Sequence, residues 1–232
     1  MKLSVLMPVY NEEGAIVAAV DEVKQHVLAL IPEAELVLVD DGSRDATGKL
    51  LDEAAMADAR IRVIHQPNGG HGAALLSGLK ASSGDYIFLI DSDRQIPLDS
   101  FRDAWSEVLA GRDAVFGVRR RRYDPVLRLY LSRLIRHSVN VLFRVQLRDA
   151  NAPYKLFRRA VWHEARQCVP DGTLAPSLFL AIVAKTRGFN ILELDVTHKE
   201  RDTGEVTLRK FRLLKFCARG LGQLLSLIGR VR

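Results

Sequence analysis

The chain has 232 residues, 48% hydrophobic and 27% charged; at about 150 residues per domain it holds one large domain with an ample core, which excludes a disordered tail or a staple-dependent mini-protein. The formal net charge of +6 hides a partition: residues 1–111 carry 9 Lys/Arg against 18 Asp/Glu, and residues 112–232 carry 25 against 10. One half therefore suits cations and the other anions, while two scattered cysteines, Cys168 and Cys217, exclude a disulfide framework or zinc site and fit a reducing compartment.

Residues 3–10 run straight into Asn11, Glu12 and Glu13. With no basic lead and no small-residue cleavage site, they are expected to form a core strand rather than a leader. Apolar runs rich in Val, Ile and Leu recur at residues 3–7, 36–39, 61–64, 86–90 and 114–118, each followed by turn residues, and predict strands. Helical spacing between them predicts helices over residues 13–30, 46–58, 73–82 and 99–110, with Asp45 and Asp99 as caps or first-turn acids. Strand and helix in alternation imply an open, mostly parallel α/β sheet with helices on both faces, and ligands at the carboxyl ends of the strands. After residue 118 longer helical patterns follow at 127–143, 159–167 and 178–187, then a strand-like run at 191–196 and a C-terminal helix. The uncharged run at residues 172–184 contains Pro176 and is well short of the ~20 residues needed to cross a bilayer.

Three acidic loops fall at one edge of such a sheet. Pro8, Val9, Tyr10, Asn11 and Glu12 follow the first strand, offering an aromatic ring and a carboxylate to a base or ribose, although Asn11 could equally be a helix cap. Asp40, Asp41, Gly42 and Ser43 follow the second. Asp91, Ser92 and Asp93 follow the fourth, with Gln95 two residues on. In an extended segment positions i and i+2 point the same way, so Asp91 and Asp93 can present oxygens to one hard divalent cation, Mg2+ or Mn2+. Because Mg2+ takes one or two protein carboxylates and completes its shell with water and phosphates, the spacing suggests a nucleotide diphosphate.

These motifs, with Asn68, Gly70, Gly72 and Ala73 between the second and third clusters, together resemble family 2 glycosyltransferases, and within them the polyprenyl-phosphate sugar synthases. The resemblance covers some 200 residues by the order and spacing of its motifs and implies a GT-A type fold over residues 1–200, with a closing loop and basic amphipathic helix at 201–232. By that likeness Pro8, Tyr10, Glu12, Val39 and Asp41 contact the nucleotide sugar together with Asp91, Ser92 and Gln95, and Asp91, Asp93 and Gln95 hold the metal. Gly117, Val118 and Arg119 resemble the family's glycine-x-arginine, and residues 149–159 its aspartate-to-arginine segment ahead of a helix. His198, Lys199, Glu200, Arg201 and Gly204 resemble its mobile loop; Arg94, Pro153, Val206 and Thr207 depart from the usual residues.

The reaction the resemblance implies is transfer of a hexose, with inversion, from a GDP- or UDP-linked donor to a polyprenyl phosphate. Asp93, Arg119 and Arg201 are the expected catalytic residues, and Arg119, Arg133 and Arg136 are expected at the acceptor phosphate. A phosphate monoester is already an anion at neutral pH, so no general base is required; His71, His137 and His198 are read as structural. Residues 198–232 hold 9 basic and 3 acidic residues, and Leu214, Cys217, Leu221, Leu224, Leu225 and Ile228 share one helical face. That pattern suits an anionic membrane surface, the protein's own core or a second subunit. Residues 127–143, with Arg128 and Arg133, are a second candidate. A peripheral position at the cytoplasmic face of a membrane is expected, with a membrane protein as a further candidate partner. Aromatic content of 7% argues against nucleic acid, which would want interleaved stacking rings. The alternatives are a family 2 enzyme acting on a polysaccharide or other hydroxyl acceptor, and a non-catalytic membrane-associated relative.

Overall fold

The computed structural model describes residues 1–120, 126–199 and 210–231. Seven strands form one sheet: β1 (Leu3–Val9), β2 (Glu35–Asp40), β3 (Ile61–His65), β4 (Tyr86–Ile90), β5 (Ala114–Arg119), β6 (Tyr154–Arg158) and β7 (Ile191–Val196), in the order β3-β2-β1-β4-β6-β5-β7. All pairings are parallel except those of β6, which runs against β4 and β5. Every residue of β1, β2 and β4 is buried, the expected state for strands of continuous Val, Leu and Ile covered on both faces.

Helices α1 (Ile16–Val23), α2 (Thr47–Ala57), α3 (His71–Ala81), α4 (Phe101–Leu109), α5 (Val126–Phe143), α6 (Arg159–Cys168), α7 (Pro176–Thr186) and α8 (Lys210–Val231) supply that cover. One core packs residues of α1, α2 and α4, such as Val23, Leu51 and Phe101, against one face. The other packs α3, α6, α7 and the end of α8, including Leu79, Val161, Phe179 and Leu227. The helix expected over 13–30 is shorter, with α1 passing into a π-helical turn at Lys24–Leu28.

Strand β6 is absent from the sequence reading, which assigned 149–159 only as a segment ahead of a helix. Its pattern is obscured by Lys155 and Arg158, and Lys155 is fully buried at the strand's centre opposite Leu89 and Phe116. Because β6 is reversed, its beginning lies at the same edge as the ends of β1, β2, β4 and β5, with Tyr154 opposite Ile90.

The C-terminal helix divides its apolar residues. Leu224, Leu227 and Val231 are buried in the core, whereas Leu221 and Leu225 stay about half exposed at 49% and 52%. Gln223 fastens it to the α6–α7 connection, accepting from the Leu174 N–H and donating to the Gly172 carbonyl. The side chains of Leu214 and Cys217 lie outside the described residues.

Candidate active site

The β1 and β2 loops lock together before any ligand is considered. Asn11, at φ 51°, donates its N–H to the Ser43 hydroxyl and accepts from the Arg44 N–H. The Glu12 N–H bonds Thr47 Oγ1 at 2.8 Å, and Glu12 is buried. Burial works against the Asp40 carboxylate, but Ser43 and the His65 ring outweigh it and hold its pKa below the ordinary value. Pro8 and Val39 are buried neighbours in register at the strand ends, and Tyr10 is half-buried beyond them.

Asp41, expected at the nucleotide, is engaged by the neighbouring loop. It is 3% exposed, and its carboxylate gathers the 66–70 loop: Oδ1 accepts from Gln66 Nε2 at 2.7 Å and the Gly69 N–H at 2.8 Å, and Oδ2 from the Gly70 N–H at 2.7 Å. Gly42, at φ 72°, allows this approach, because a Cβ there would stand 2.8 Å from the Asn68 nitrogen. The glycine-rich segment ahead of α3 is thus a shaped loop pinned by one buried anion.

Asp91 and Asp93 line one narrow recess with Met7, Glu22, Ile90 and Pro153. The segment is a turn rather than extended chain: Ser92 is buried, Arg94 takes φ 55°, and Asp93 Oδ1 accepts the Gln95 N–H. The departure at Arg94 has a local reason, since its Nε bonds Glu22 of α1 at 3.1 Å. Gln95 donates its side-chain amide to the Lys199 carbonyl and its own carbonyl accepts the Lys199 N–H, which clips the chain after β7 to this turn.

The Asp91 side chain keeps 31% of its surface open although protein crowds it on most sides. That crowding pushes its carboxyl up to about 6; the charge of Asp93 adds to the effect, while His71, Arg119 and Lys155 oppose it. Among the described residues no group of three or more His, Cys, Asp or Glu forms a ready-made metal cage. Two hard oxygen donors on one recess fit a cation that takes its remaining ligands from phosphate and water.

The structure does not bring the other expected residues together there. Arg119, with a side chain 8% exposed, forms a two-pronged pair with Asp149, Nε to Oδ2 at 2.7 Å and Nη2 to Oδ1 at 3.0 Å. Arg136 donates to the Arg148 carbonyl and lines a separate recess with His137 and Lys185, and Arg133 is exposed on α5. Arg201, Gly204, Val206 and Thr207 lie outside the described residues. His71, expected to be structural, stands at the start of α3 after the glycine loop with its Nε2 3.9 Å from Asp91 Oδ1. Asp149 and Lys155, named only within the 149–159 segment, have roles that local spacing does not announce: Asp149 holds Arg119, 30 positions away, and Lys155 is buried at the centre of β6.

Comparison with known proteins agrees with this architecture. Among curated relatives, the undecaprenyl-phosphate 4-deoxy-4-formamido-L-arabinose transferase of Pseudomonas fluorescens (strain Pf0-1) is 33% identical over 214 residues, 91% of this chain and 62% of that protein. The enzyme of that name from Aeromonas hydrophila is 31% identical over 205 residues, 88% of this chain and 61% of that protein. The chain thus spans less than two thirds of the length of these relatives. Glucosyl-3-phosphoglycerate synthase from Mycobacterium tuberculosis, solved with Mn2+, UDP and phosphoglyceric acid, shares the fold at a TM-score of 0.72 and 22% identity, covering 98% of this chain and 78% of that one. The sequence profile of glycosyl transferase family 2 matches residues 4–166, and the chain belongs to that family.

Proposed function

We propose that this protein transfers a sugar, with inversion, from a nucleotide diphosphate donor to the phosphate of a membrane-held polyprenol. The observation that carries the reading is the recess in which Asp91 and Asp93 meet, at the edge where the β1 loop, the Asp41-pinned glycine loop and the β6 entry also open. The names of the curated relatives supply the acceptor class.

Asp91 and Asp93 would hold Mg2+ or Mn2+, which when bound offsets the negative charge that develops on a departing diphosphate. Tyr10 offers a ring to the base, beside Pro8, Glu12 and Val39. The Asp41 carboxylate shapes the glycine loop instead of meeting the base itself. Gln95 ties the chain at Lys199 to the metal turn; Arg201, which the family resemblance assigns to the diphosphate, lies outside the described residues. His71, whose Nε2 lies 3.9 Å from Asp91 Oδ1, can offer a hydrogen bond to a phosphate oxygen bound beside that carboxylate. The acceptor phosphate, anionic at neutral pH, attacks without a general base, and Arg119 holds Asp149 and the loop around it in place for that approach.

The membrane side of the reading rests on α5 and α8, which touch each other and contain no Asp or Glu. Tyr130, Leu134, Val141, Leu221 and Leu225 stand exposed on them among arginines. Basic helices with apolar residues on the outer face lie in the headgroup region of anionic membranes. Among the described residues no helix is long and apolar enough to cross a membrane.

The test is transfer from UDP- and GDP-linked hexoses and pentoses to undecaprenyl phosphate with Mn2+ or Mg2+, with and without a chelator. A lipid-linked product that disappears on chelation supports the reading. Transfer only to hydroxyl acceptors, or none with any donor, overturns it.

A further inference from the structure

A charged lysine in the middle of a sheet is costly to bury. Lys155 has no exposed surface, yet it occupies the central position of β6, between Leu89 of β4 and Phe116 of β5. Its Nζ makes one hydrogen bond, to the Ala152 carbonyl at 2.5 Å, and lies 5.6 Å from the centre of the Phe116 ring. Burial pulls it down to about 8; Asp149 and Asp91 counter that effect, while Arg119 adds to it.

The Ala152 carbonyl belongs to the turn that leads into β6. That turn is closed by the Ala152 N–H on the Asp149 carbonyl. Asp149 at its start holds Arg119, and Pro153 at its end is a wall of the recess lined by Asp91 and Asp93. Lys155 therefore grips from inside the sheet a loop that touches both the buried ion pair and the candidate metal recess. An apolar residue at this strand position would fill the core at lower cost, but it would leave the Ala152 carbonyl without that donor.

We propose that Lys155 is a positioning residue for the sugar transfer, its ammonium fixing the 149–153 turn, whose Pro153 packs beside Asp91 and Asp93, so that the two carboxylates keep the placement that holds a cation. The proposal rests on the function proposed above and extends it to a residue that never meets the substrates.

The experiment compares wild type with Lys155→Met, which keeps length and bulk without charge or donor, and Lys155→Gln, which keeps a donor without charge. Urea unfolding, calorimetric titration with Mn2+ and UDP, and steady-state transfer are measured for each. The expected result is that Lys155→Met stays folded and binds Mn2+ with UDP about tenfold or more weakly. Its kcat falls while KM for the polyprenyl phosphate is unchanged, and Lys155→Gln recovers part of the loss. Equal binding and turnover in Lys155→Met overturns the proposal. So does a loss of folding in both variants, which would make Lys155 a requirement of the core alone, and so does a rise in acceptor KM alone. A wild type that binds neither Mn2+ nor UDP refutes the reading of the site itself, a result distinguishable from all of these.

Discussion

Replacing Asp41 by Asn exchanges one carboxylate oxygen for an NH2 group and leaves the side chain's shape almost unchanged, so the effect isolates what the anion does. The carboxylate accepts three hydrogen bonds, from Gln66 Nε2, Gly69 N–H and Gly70 N–H, at a position 3% exposed. The Asn oxygen can keep the two bonds at Oδ1, and its NH2 then faces the Gly70 N–H across the 2.7 Å that Oδ2 spans now. One charge-assisted bond is lost and two donors are buried face to face, at a cost of about 3 kcal/mol. For a chain of this size that is a fall of about 6–12 °C in Tm. Trp105 and Trp162, both largely buried, report the unfolding by fluorescence. Gln66→Leu removes one donor and leaves the carboxylate, and should cost about 1 kcal/mol. UDP binding should weaken in the order of lost loop anchorage, Asp41→Asn more than Gln66→Leu. An Asp41→Asn protein with an unchanged unfolding midpoint would refute the loop-pinning role, and a variant that is stable but blind to nucleotide would return Asp41 to direct contact.

Asp93→Ala removes the acceptor of the Gln95 N–H and should cost about 1 kcal/mol, leaving the protein folded, while Mn2+-dependent transfer disappears; residual metal-dependent turnover would contradict the assignment. His65 bridges Asp52 and Asp40, and those hydrogen bonds, Asp52 first, raise its pKa above 6.5. The protonated ring is favoured in the folded state, so its stabilisation is complete below 6.5 and is lost as pH rises through the raised folded value. Tm should therefore fall as pH rises above 6.5 through the raised folded value, and His65→Gln should flatten that slope; a variant that keeps the wild-type slope would dismiss His65 as its source. Leu221→Ser with Leu225→Ser, at two exposed positions, should leave stability nearly unchanged but reduce co-sedimentation with phosphatidylglycerol vesicles, and equal sedimentation would remove α8 from the membrane surface. A Cβ on Gly72 would run into the Thr173 carbonyl and stand 2.8 Å from that of Leu174, so Gly72→Ala should cost about 1–3 kcal/mol despite alanine's better helix propensity. A neutral or stabilising result by urea titration would show that the 173–174 backbone yields.

The strands whose sequences are unbroken runs of Val, Leu and Ile were legible because a parallel strand buried on both faces has no room for polar residues. β6 was not, because Lys155 and Arg158 interrupt its short apolar run. The three acidic loops could be placed at one edge from strand order alone. Their internal geometry could not: Asp91 and Asp93 face one recess through a turn that depends on Arg94 at positive φ and its tie to Glu22, a contact between residues 72 positions apart. Arg119 illustrates the same limit. A cation in a basic half suggests a phosphate partner, but only tertiary structure shows that Asp149 already holds it. For α8 the apolar pattern is common to a core-docked and a membrane-lying helix, and the fold uses some leucines each way.

Reversing a single strand has a consequence for how this scaffold can diversify. In an all-parallel sheet, every loop on the ligand side leaves a strand; here one arrives at β6 instead, between the halves of the molecule, and meets the others from the opposite direction. Residues 144–148 of that connection stand ahead of the Asp149–Pro153 turn that walls the Asp91–Asp93 recess, so they can change in length or sign with less effect on the turns after β1, β2 and β4 than that turn itself could.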